Sequence, residues 1–475
     1  MHITTLLAVA AMLTPDPSRA DCLETLTGLR SAVEENYAGY RLEVVGDRAK
    51  EYEKHLDDLR VQAAFAEGDA CRGLLMLYLA WFDDPHLFLF QSVSVDSTRA
   101  AKRARSLRME AVTESEVLAS VANGEERDPI EGLWYDVGMR MAVVPDTTSA
   151  SSTYIAVVTR SDSQTLPVGA VRAVFVPLGS GRYAVRLLHE TLAETLVVAR
   201  LHTNGILTLA PAMWGRATAT GAAPGLDPSD VRRPTLRPVD GALVVALPSH
   251  DPTYRPALDS LIERFAEELE EAERLVIDLR ANQGGSSWMS DPLLPYLVDG
   301  GTPAPYDGRE PVMLSSPAQI RYARRAFGSD TTAFVRRLVR SLEESPGELV
   351  PLYADTAPPP ADPAPEPIHG PERVAVLIDE GTVSASEVLV LKARRSARAV
   401  VMGANTAGAL DYQSTQVVRI QPGEDRWYLG YPTITAHADL PADGMRGVGI
   451  PPHVPVDWTT VEDGVREALR LLEAG

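Results

Sequence analysis

The sequence predicts an α/β domain in its second half, preceded by a helical region and a small antiparallel β-barrel-like unit. Three observations predict it. Apolar residues recur at helical spacing as far as about residue 92, and short β-rich runs separated by Gly, Pro, Asp and Ser clusters follow to about 220. After 240, strands alternate with helices. With 475 residues the chain exceeds what one hydrophobic core usually serves, so two or three domains are expected. The boundaries read as 1–20, 21–92, 93–220, a linker at 221–240, and 241–475.

Residues 1–20 read as a secretory signal peptide. Ile3–Leu13 is apolar but too short to span a bilayer, Pro15 and Pro17 break it, and Ser18-Arg19-Ala20 places small residues where a signal peptidase reads. No Lys or Arg lies near Met1, and a buried N-terminal helix is the competing reading. A lipoprotein anchor is disfavoured because Asp21 precedes Cys22. Export to the periplasm or the exterior is the resulting expectation. Cys22 and Cys71 either pair there, closing a loop of about 50 residues worth on the order of 4 kcal/mol, or stay as two buried thiols. Neither lies in a Cys-x-x-Cys or His-rich setting, so no metal and no thiol chemistry are expected.

In the helical region, Leu23, Leu26, Leu29 and Val33 share one face, and Leu56, Leu59, Ala63 and Ala64 continue the pattern. A third apolar segment, Cys71–Trp81, runs into Asp83-Asp84-Pro85-His86. Pro85 restricts Asp84 and ends the helix, which leaves His86 at a helix-to-strand corner. Strands are then expected at Gly132–Val144, Tyr154–Val158, Val171–Val176, Tyr183–Leu188, Leu196–Leu201 and Ile206–Leu209. Gly221–Pro238, with several prolines, reads as a linker. Beyond it come a strand at Ala242–Leu247, a helix over Tyr254–Glu273, strands at Leu275–Leu279 and Val374–Ile378, a helix near Ser386–Arg395 and a strand at Ala399–Met402. Residues 355–367 hold six prolines and read as an exposed loop.

Charge narrows the function classes. The formal net charge is -20, from 65 acidic and 45 basic residues, and such a surface repels a phosphate backbone. The clusters Lys102–Arg105 and Arg321–Arg325 read as solvated helix faces. The mature chain has no run of about 18 uncharged apolar residues, so no membrane span is expected. The sequence does not define an oligomeric state.

Two turns in the α/β part carry chemistry. In Leu275-Val-Ile-Asp278-Leu-Arg280-Ala-Asn282-Gln-Gly284-Gly285 a buried strand runs straight into paired glycines. Glycine lets backbone N–H groups approach a reacting oxygen, as an oxyanion hole requires, although a double glycine is more often only a tight turn. In Val376-Leu-Ile-Asp379-Glu-Gly381-Thr-Val-Ser384-Ala-Ser-Glu387 a strand feeds a short turn, and a serine opens a helix. A nucleophile there is exposed and faces the positive end of the helix dipole. The plain alternative is a capping box, with Ser384 as N-cap and Glu387 three positions on.

The two turns, followed by Val400-Val-Met-Gly403-Ala-Asn-Thr406-Ala-Gly408 and closed by Gly447-Val-Gly449-Ile-Pro451-Pro-His453-Val-Pro-Val, resemble the C-terminal processing peptidase, tricorn-core and interphotoreceptor retinoid-binding protein superfamily. The resemblance covers about residues 240–458 and needs four motifs in one order. It implies a fold similar to Clp protease and crotonase, no cofactor, and a peptide or protein substrate. It also implies Ser384 as nucleophile in the S-A-S-E motif, and an oxyanion hole from the N–H of Ala385 with one from Gly284 or Gly285. Asp278, Arg280 and Asn282 match the D-x-R-x-N stretch and are expected to support the glycine turn.

The base divides the family. The processing-peptidase branch has a lysine after its T-x-G stretch, and here that position is Ala409. The tricorn-like branch uses a histidine after N-terminal helices, in a motif like D-x-H, which Asp84-Pro85-His86 fits. His86 is therefore the expected general base. Two departures bear on turnover. Pro85 stands where that branch has serine, and Arg446 where it has a glutamate ahead of the terminal G-x-G. Asp83, Asp84, Asp411 or Glu387 are candidate substitutes for the orienting acid. Lys392 is an alternative base, two helical turns beyond Ser384.

No PDZ-like pattern is recognisable in residues 93–240. Gly132-Leu-Trp134 instead resembles the G-x-W opening of a lipocalin-like barrel. Three readings follow: an exported serine peptidase, a catalytically degenerate member that binds peptides or apolar ligands, and a hydrolase of small esters or amides.

Overall fold

The helices form where the apolar periodicity placed them. The computed structural model describes residues 22–93, 102–125, 128–149, 152–209, 212–219, 221–298, 311–327, 332–352, 370–420, 425–435, 444–461 and 463–474. Residues 1–20, expected as a signal peptide, and the proline-rich stretch 355–367 lie outside them. Helices at Cys22–Asn36, Ala38–Glu43, Gly46–Ala63 and Gly68–Ala80 bury Leu26, Leu29, Val33, Leu56 and Leu59 against Tyr52, Tyr78 and Phe82. Cys22 and Cys71 are disulfide-bonded across 49 positions, which joins the first helix to the fourth. Among the described residues no helix is long and apolar enough to cross a membrane.

This helical region is not a separate domain. Its core also takes in Tyr412, Trp427, Leu429 and Tyr431, which come from far along the chain. Strand β1 (Phe88–Val93) begins two residues after His86 and pairs antiparallel with the strand at Asp425–Thr435. The boundary expected at 92 therefore falls inside a unit shared by the two ends of the chain. The reason is that the amphipathic helices need a second apolar surface, and the C-terminal hairpin supplies it.

A helix at Glu114–Ala122, opened by a Thr113/Glu116 capping box, leads into the middle unit. Strands β2 (Gly132–Asp136), β3 (Met139–Pro145), β4 (Tyr154–Ser161), β5 (Val171–Gly179), β6 (Arg182–Leu188), β7 (Glu194–Leu201), β8 (Ile206–Leu209) and β9 (Ala212–Thr218) each pair antiparallel with the next. β9 returns to β2 through Leu133↔Ala217, closing an eight-stranded barrel and removing every free edge. The run expected as one strand, Gly132–Val144, folds back at Val137-Gly138 as a hairpin. β9 had no separate signal because only two residues part it from β8. The interior is filled: Trp134, Met141, Phe175, Leu207 and Trp214 share one buried core.

The expected linker is partly strand. β10 (Gly221–Ala222) pairs antiparallel with the end of β9, and β11 (Thr235–Val239) pairs antiparallel with β12 (Ala242–Ala246), so the α/β sheet starts inside it. Pro238 is tolerated because β11 is an edge strand. From β12 the order continues through β13 (Arg274–Asp278), β14 (Val312–Leu314), β15 (Leu349–Pro351), β16 (Arg373–Ile378), β17 (Ala399–Gly403), β18 (Tyr412–Arg419), β19 (Asp425–Thr435) and β20 (Val454–Pro455). Strands β12, β13, β16, β17 and β20 lie parallel in that spatial order. Side chains alternate across this sheet. Val245, Ile277, Val376 and Val401 pack on one face, while Val276, Leu377 and Met402 meet Leu469 and Leu472 of the C-terminal helix Gly464–Ala474 on the other. The helix expected over Tyr254–Glu273 is broken at Phe265 into Arg255–Arg264 and Ala266–Glu271.

Candidate active site

Strands β13 and β16 are parallel neighbours with Asp278 opposite Leu377, so the turns that leave their carboxyl ends lie side by side. Open α/β sheets place ligands at such ends. The first turn is braced from within. Arg280 holds Asp278 through Nη2–Oδ2 at 2.6 Å and Nε–Oδ1 at 2.9 Å, and stacks over Trp458. Asn282 donates to the Leu247 carbonyl at 2.6 Å and accepts the Gly284 amide at 2.9 Å. The D-x-R-x-N residues therefore support the turn.

The second turn presents Ser384 at φ 57° and ψ -116°, a left-handed φ that a side-chain-bearing residue rarely adopts. The strain turns the serine outward at the start of the helix Ala385–Ala393. Glu387 accepts the Ser384 amide at 2.7 Å, while the Glu387 amide goes to the Ser384 carbonyl at 2.8 Å. Ser384 is partly exposed, whereas Ser386 is fully buried and donates to the Asn282 carbonyl at 2.9 Å. That contact, with Val383 N–H to the same carbonyl at 2.9 Å, laces the two turns together. Of the motif's two serines, Ser384 is the one left accessible.

Gly284 lies against the serine. A Cβ there would stand 2.6 Å from the Val383 carbonyl oxygen, 2.8 Å from Ser384 Cβ and 3.1 Å from the Ala385 nitrogen. Of the three expected oxyanion groups, the Gly284 amide is already given to Asn282. The amides of Gly285 and Ala385 donate to no group among the described residues.

Glu387 is the hub of the site. It is fully buried and accepts from Ser384 N, Thr406 Oγ1 (2.7 Å), Gly408 N (2.8 Å) and Ala409 N (3.0 Å). Burial pushes its carboxyl above the ordinary range despite those four donors. Thr406 in turn accepts the Ile450 amide at 2.7 Å, so the last two motifs join the first two here.

His86 reaches this hub from the helical region. Its ring is buried beside Glu387 and the backbone of Tyr412 and Ala409. Burial lowers its pKa and outweighs the Glu387 charge, so the imidazole is neutral near pH 7. Among the described residues Nδ1 is buried without a hydrogen-bond partner. Asp84 does not orient the ring: Oδ1 accepts the His86 backbone amide and Oδ2 the Tyr37 hydroxyl, each at 2.8 Å. Burial pushes the Asp84 carboxyl up to about 6. Asp411 holds the Met445 amide at 2.9 Å, which fixes the 444–449 loop. Asp83 lies against that loop at Gly447. Lys392 acts on His250 on the glycine-turn side.

The sequence reading named Arg446 but missed its partners and several other groups. Arg446 pairs with Glu43 at 2.5 Å, and the Tyr412 hydroxyl also donates to Glu43 at 2.5 Å. His250 is fully buried beneath Gly284-Gly285 and beside Asn282, and burial pushes it down to about 4. His202 of the barrel bonds Asp379. None had a local signal; each depends on contacts between distant segments.

A strained serine between a strand and a helix, with free amides beside it, defines a site of the serine-hydrolase class. The model of peptidase family S41 matches residues 242–456, from β12 to the end of β20, and this part of the chain is a peptidase family S41 domain. Similar solved structures include mature CPAF (13% identity, TM-score 0.45, 95% of this chain and 96% of that one). The photosystem II D1 C-terminal processing protease shares 15% identity at TM-score 0.37, over 96% of this chain and 97% of that one. The tricorn protease shares 10% at TM-score 0.39, over 95% of this chain and 36% of that one. No curated protein matches.

Proposed function

We propose that the chain is an exported serine peptidase in which Ser384 is the nucleophile and His86 the general base. The observation that carries it is the strained Ser384, partly exposed beside two unspent amides. The Ser384 hydroxyl oxygen attacks the scissile carbonyl carbon, and its proton passes to the neutral His86 ring. The carbonyl oxygen, now negative, takes the amides of Gly285 and Ala385, and each such donor is commonly worth about 3 kcal/mol of barrier. Collapse expels the amine with the proton from His86 and leaves an acyl-serine, which water then hydrolyses by the same transfers in reverse order. Export rests on the apolar N-terminal segment and on the Cys22–Cys71 bond, which an oxidising compartment would preserve.

A second reading, a binder of peptides or apolar ligands without hydrolysis, is favoured by the unpartnered His86 Nδ1 and by Arg446 being committed to Glu43. A fluorophosphonate probe separates the two, applied to the mature protein beside Ser384→Ala and His86→Ala variants. Labelling lost in both variants supports the Ser–His hydrolase. Loss in Ser384→Ala alone removes His86 from the mechanism, and an unlabelled, folded wild type favours the binder. A panel of peptide and ester substrates then tells a peptidase from a small-ester hydrolase.

A further inference from the structure

One tip of the barrel reaches the catalytic turns with polar side chains. Between β7 and β8, His202, Thr203 and Asn204 reach out of the barrel and into the α/β domain. His202 Nδ1 donates to Asp379 Oδ2 at 2.7 Å, and its Nε2 meets Thr208 Oγ1 at 3.2 Å. The side chains of His202 and Asp379 are 2% and 6% exposed, so solvent does not weaken the pair. Asp379 Oδ1 accepts the Ala281 amide from the first catalytic turn and the Gly381 amide from the second, both at 2.9 Å. One carboxylate thus spans both turns, and the barrel holds its other oxygen.

The packing is as specific as the bonding. A Cβ on Gly381 would lie 2.3 Å from His202 Cε1, so the ring fills the space beside the turn that leads to Ser384. Further contacts surround it. Asn204 donates to the Arg280 carbonyl at 2.9 Å, Arg280 Nη1 reaches Thr203 Oγ1 at 3.5 Å, and Arg200 pairs with Glu380. Burial pushes the Asp379 carboxyl up, yet His202 and the Ala281 amide outweigh it, and the group stays below its ordinary range as a carboxylate.

We propose that His202 is a positioning residue: by holding Asp379 it fixes the spacing between the glycine turn and Ser384, and so makes the barrel part of the catalytic scaffold. The proposal rests on Ser384 being the nucleophile. A tip that merely glued two domains would bear on surface residues; this one bears on a buried carboxylate that carries both turns.

The test uses the full mature chain with His202→Leu, which keeps bulk but removes the donor, and His202→Asn, whose amide can donate from nearly the Nδ1 position. Hydrogen exchange is followed for segments 278–286 and 379–388, together with the rate of fluorophosphonate labelling. Fluorescence of the buried Trp134 and Trp214 shows that the barrel stays folded. In His202→Leu, exchange in both segments is expected to rise and labelling to slow about tenfold or more, with KM for a cleaved peptide little changed and kcat carrying the loss. His202→Asn is expected to recover most of both effects. Wild-type exchange in His202→Leu, or an Asn variant no better than Leu, overturns the proposal. An unlabelled wild type would sink the nucleophile reading instead, and the exchange result would still decide the clamp.

Discussion

Substituting Gly284 by alanine tests whether the glycine turn and the nucleophile form one unit. The added methyl would sit 2.6 Å from the Val383 carbonyl oxygen and 2.8 Å from Ser384 Cβ, where ordinary contacts begin near 3.4 Å. Neither obstacle is the free end of a flexible side chain, so the elbow itself must give by roughly 0.8 Å. A misplacement near 1 Å at a reacting centre costs about 100-fold in rate, and a loss of that order is expected in fluorophosphonate labelling. Part of any effect will come only from the backbone, because Gly284 has φ +85° and alanine there costs about 1 kcal/mol. Gly347→Ala is the control: φ is +83° and nothing lies within 4 Å of the added methyl. Both variants should therefore lose similar thermal stability from φ, while only Gly284→Ala loses labelling. Labelling of Gly284→Ala at the wild-type rate would refute the claim that this glycine packs against the nucleophile.

Three other outcomes are expected. Burial lowers the His86 pKa, so the neutral base persists below its ordinary value, and the acid limb of kcat/KM should lie below pH ~6.5; a limb centred higher contradicts the assignment. Asp84 behaves with the opposite sign. Its folded pKa of about 6 exceeds the ordinary 3.8, so the ionised group costs stability at neutral pH, and that cost is relieved as pH falls through about 6. Melting curves should show Asp84→Asn losing about 1 kcal/mol relative to wild type between pH 8 and pH 5; a pH-independent difference would count against it. Reduction of Cys22–Cys71 should destabilise the folded chain by about 4 kcal/mol if chain entropy dominates, read from denaturant melts with and without reductant.

Much of the fold was legible because it rests on local periodicity. The helices before residue 80 and the strands at 242–246, 274–278, 373–378 and 399–403 follow from runs that can bury themselves in one way only. Ser384 and the glycine turn were legible because a motif must place strand, turn and helix consecutively. What failed was non-local. The short edge strand β11 hid among prolines, and β9 is two residues from β8, so neither had a boundary to announce it. The shared sheet of β1 and β19 joins residues more than 300 apart, which no window of sequence reveals. His202 was invisible for the same reason: its partner lies 177 positions away.

The same distance dependence explains how the site differs from a full Ser–His–acid relay. Two buried acids, Glu387 and Asp84, lie close to His86, and each is already committed. Glu387 is saturated by four donors that hold the elbow and the 406–409 loop. Asp84 spends both oxygens on Tyr37 and on the His86 backbone. Glu43 serves Arg446, Tyr412 and Arg48. Among the described residues His86 Nδ1 is thus left without an acceptor, and neither Glu387 nor Asp84 can turn toward it without abandoning a donor it now satisfies. A base without a hydrogen-bonded acid still removes a proton, but no carboxylate fixes its tautomer and aim, and that partner can be worth about 10,000-fold in kcat. Acylation by a fluorophosphonate, whose leaving group departs readily, makes smaller demands on such a base than amide hydrolysis does. A folded chain that labels at Ser384 yet turns over peptides slowly is therefore the behaviour this arrangement of acids favours, and it separates a slow peptidase from a binder more sharply than the fold does.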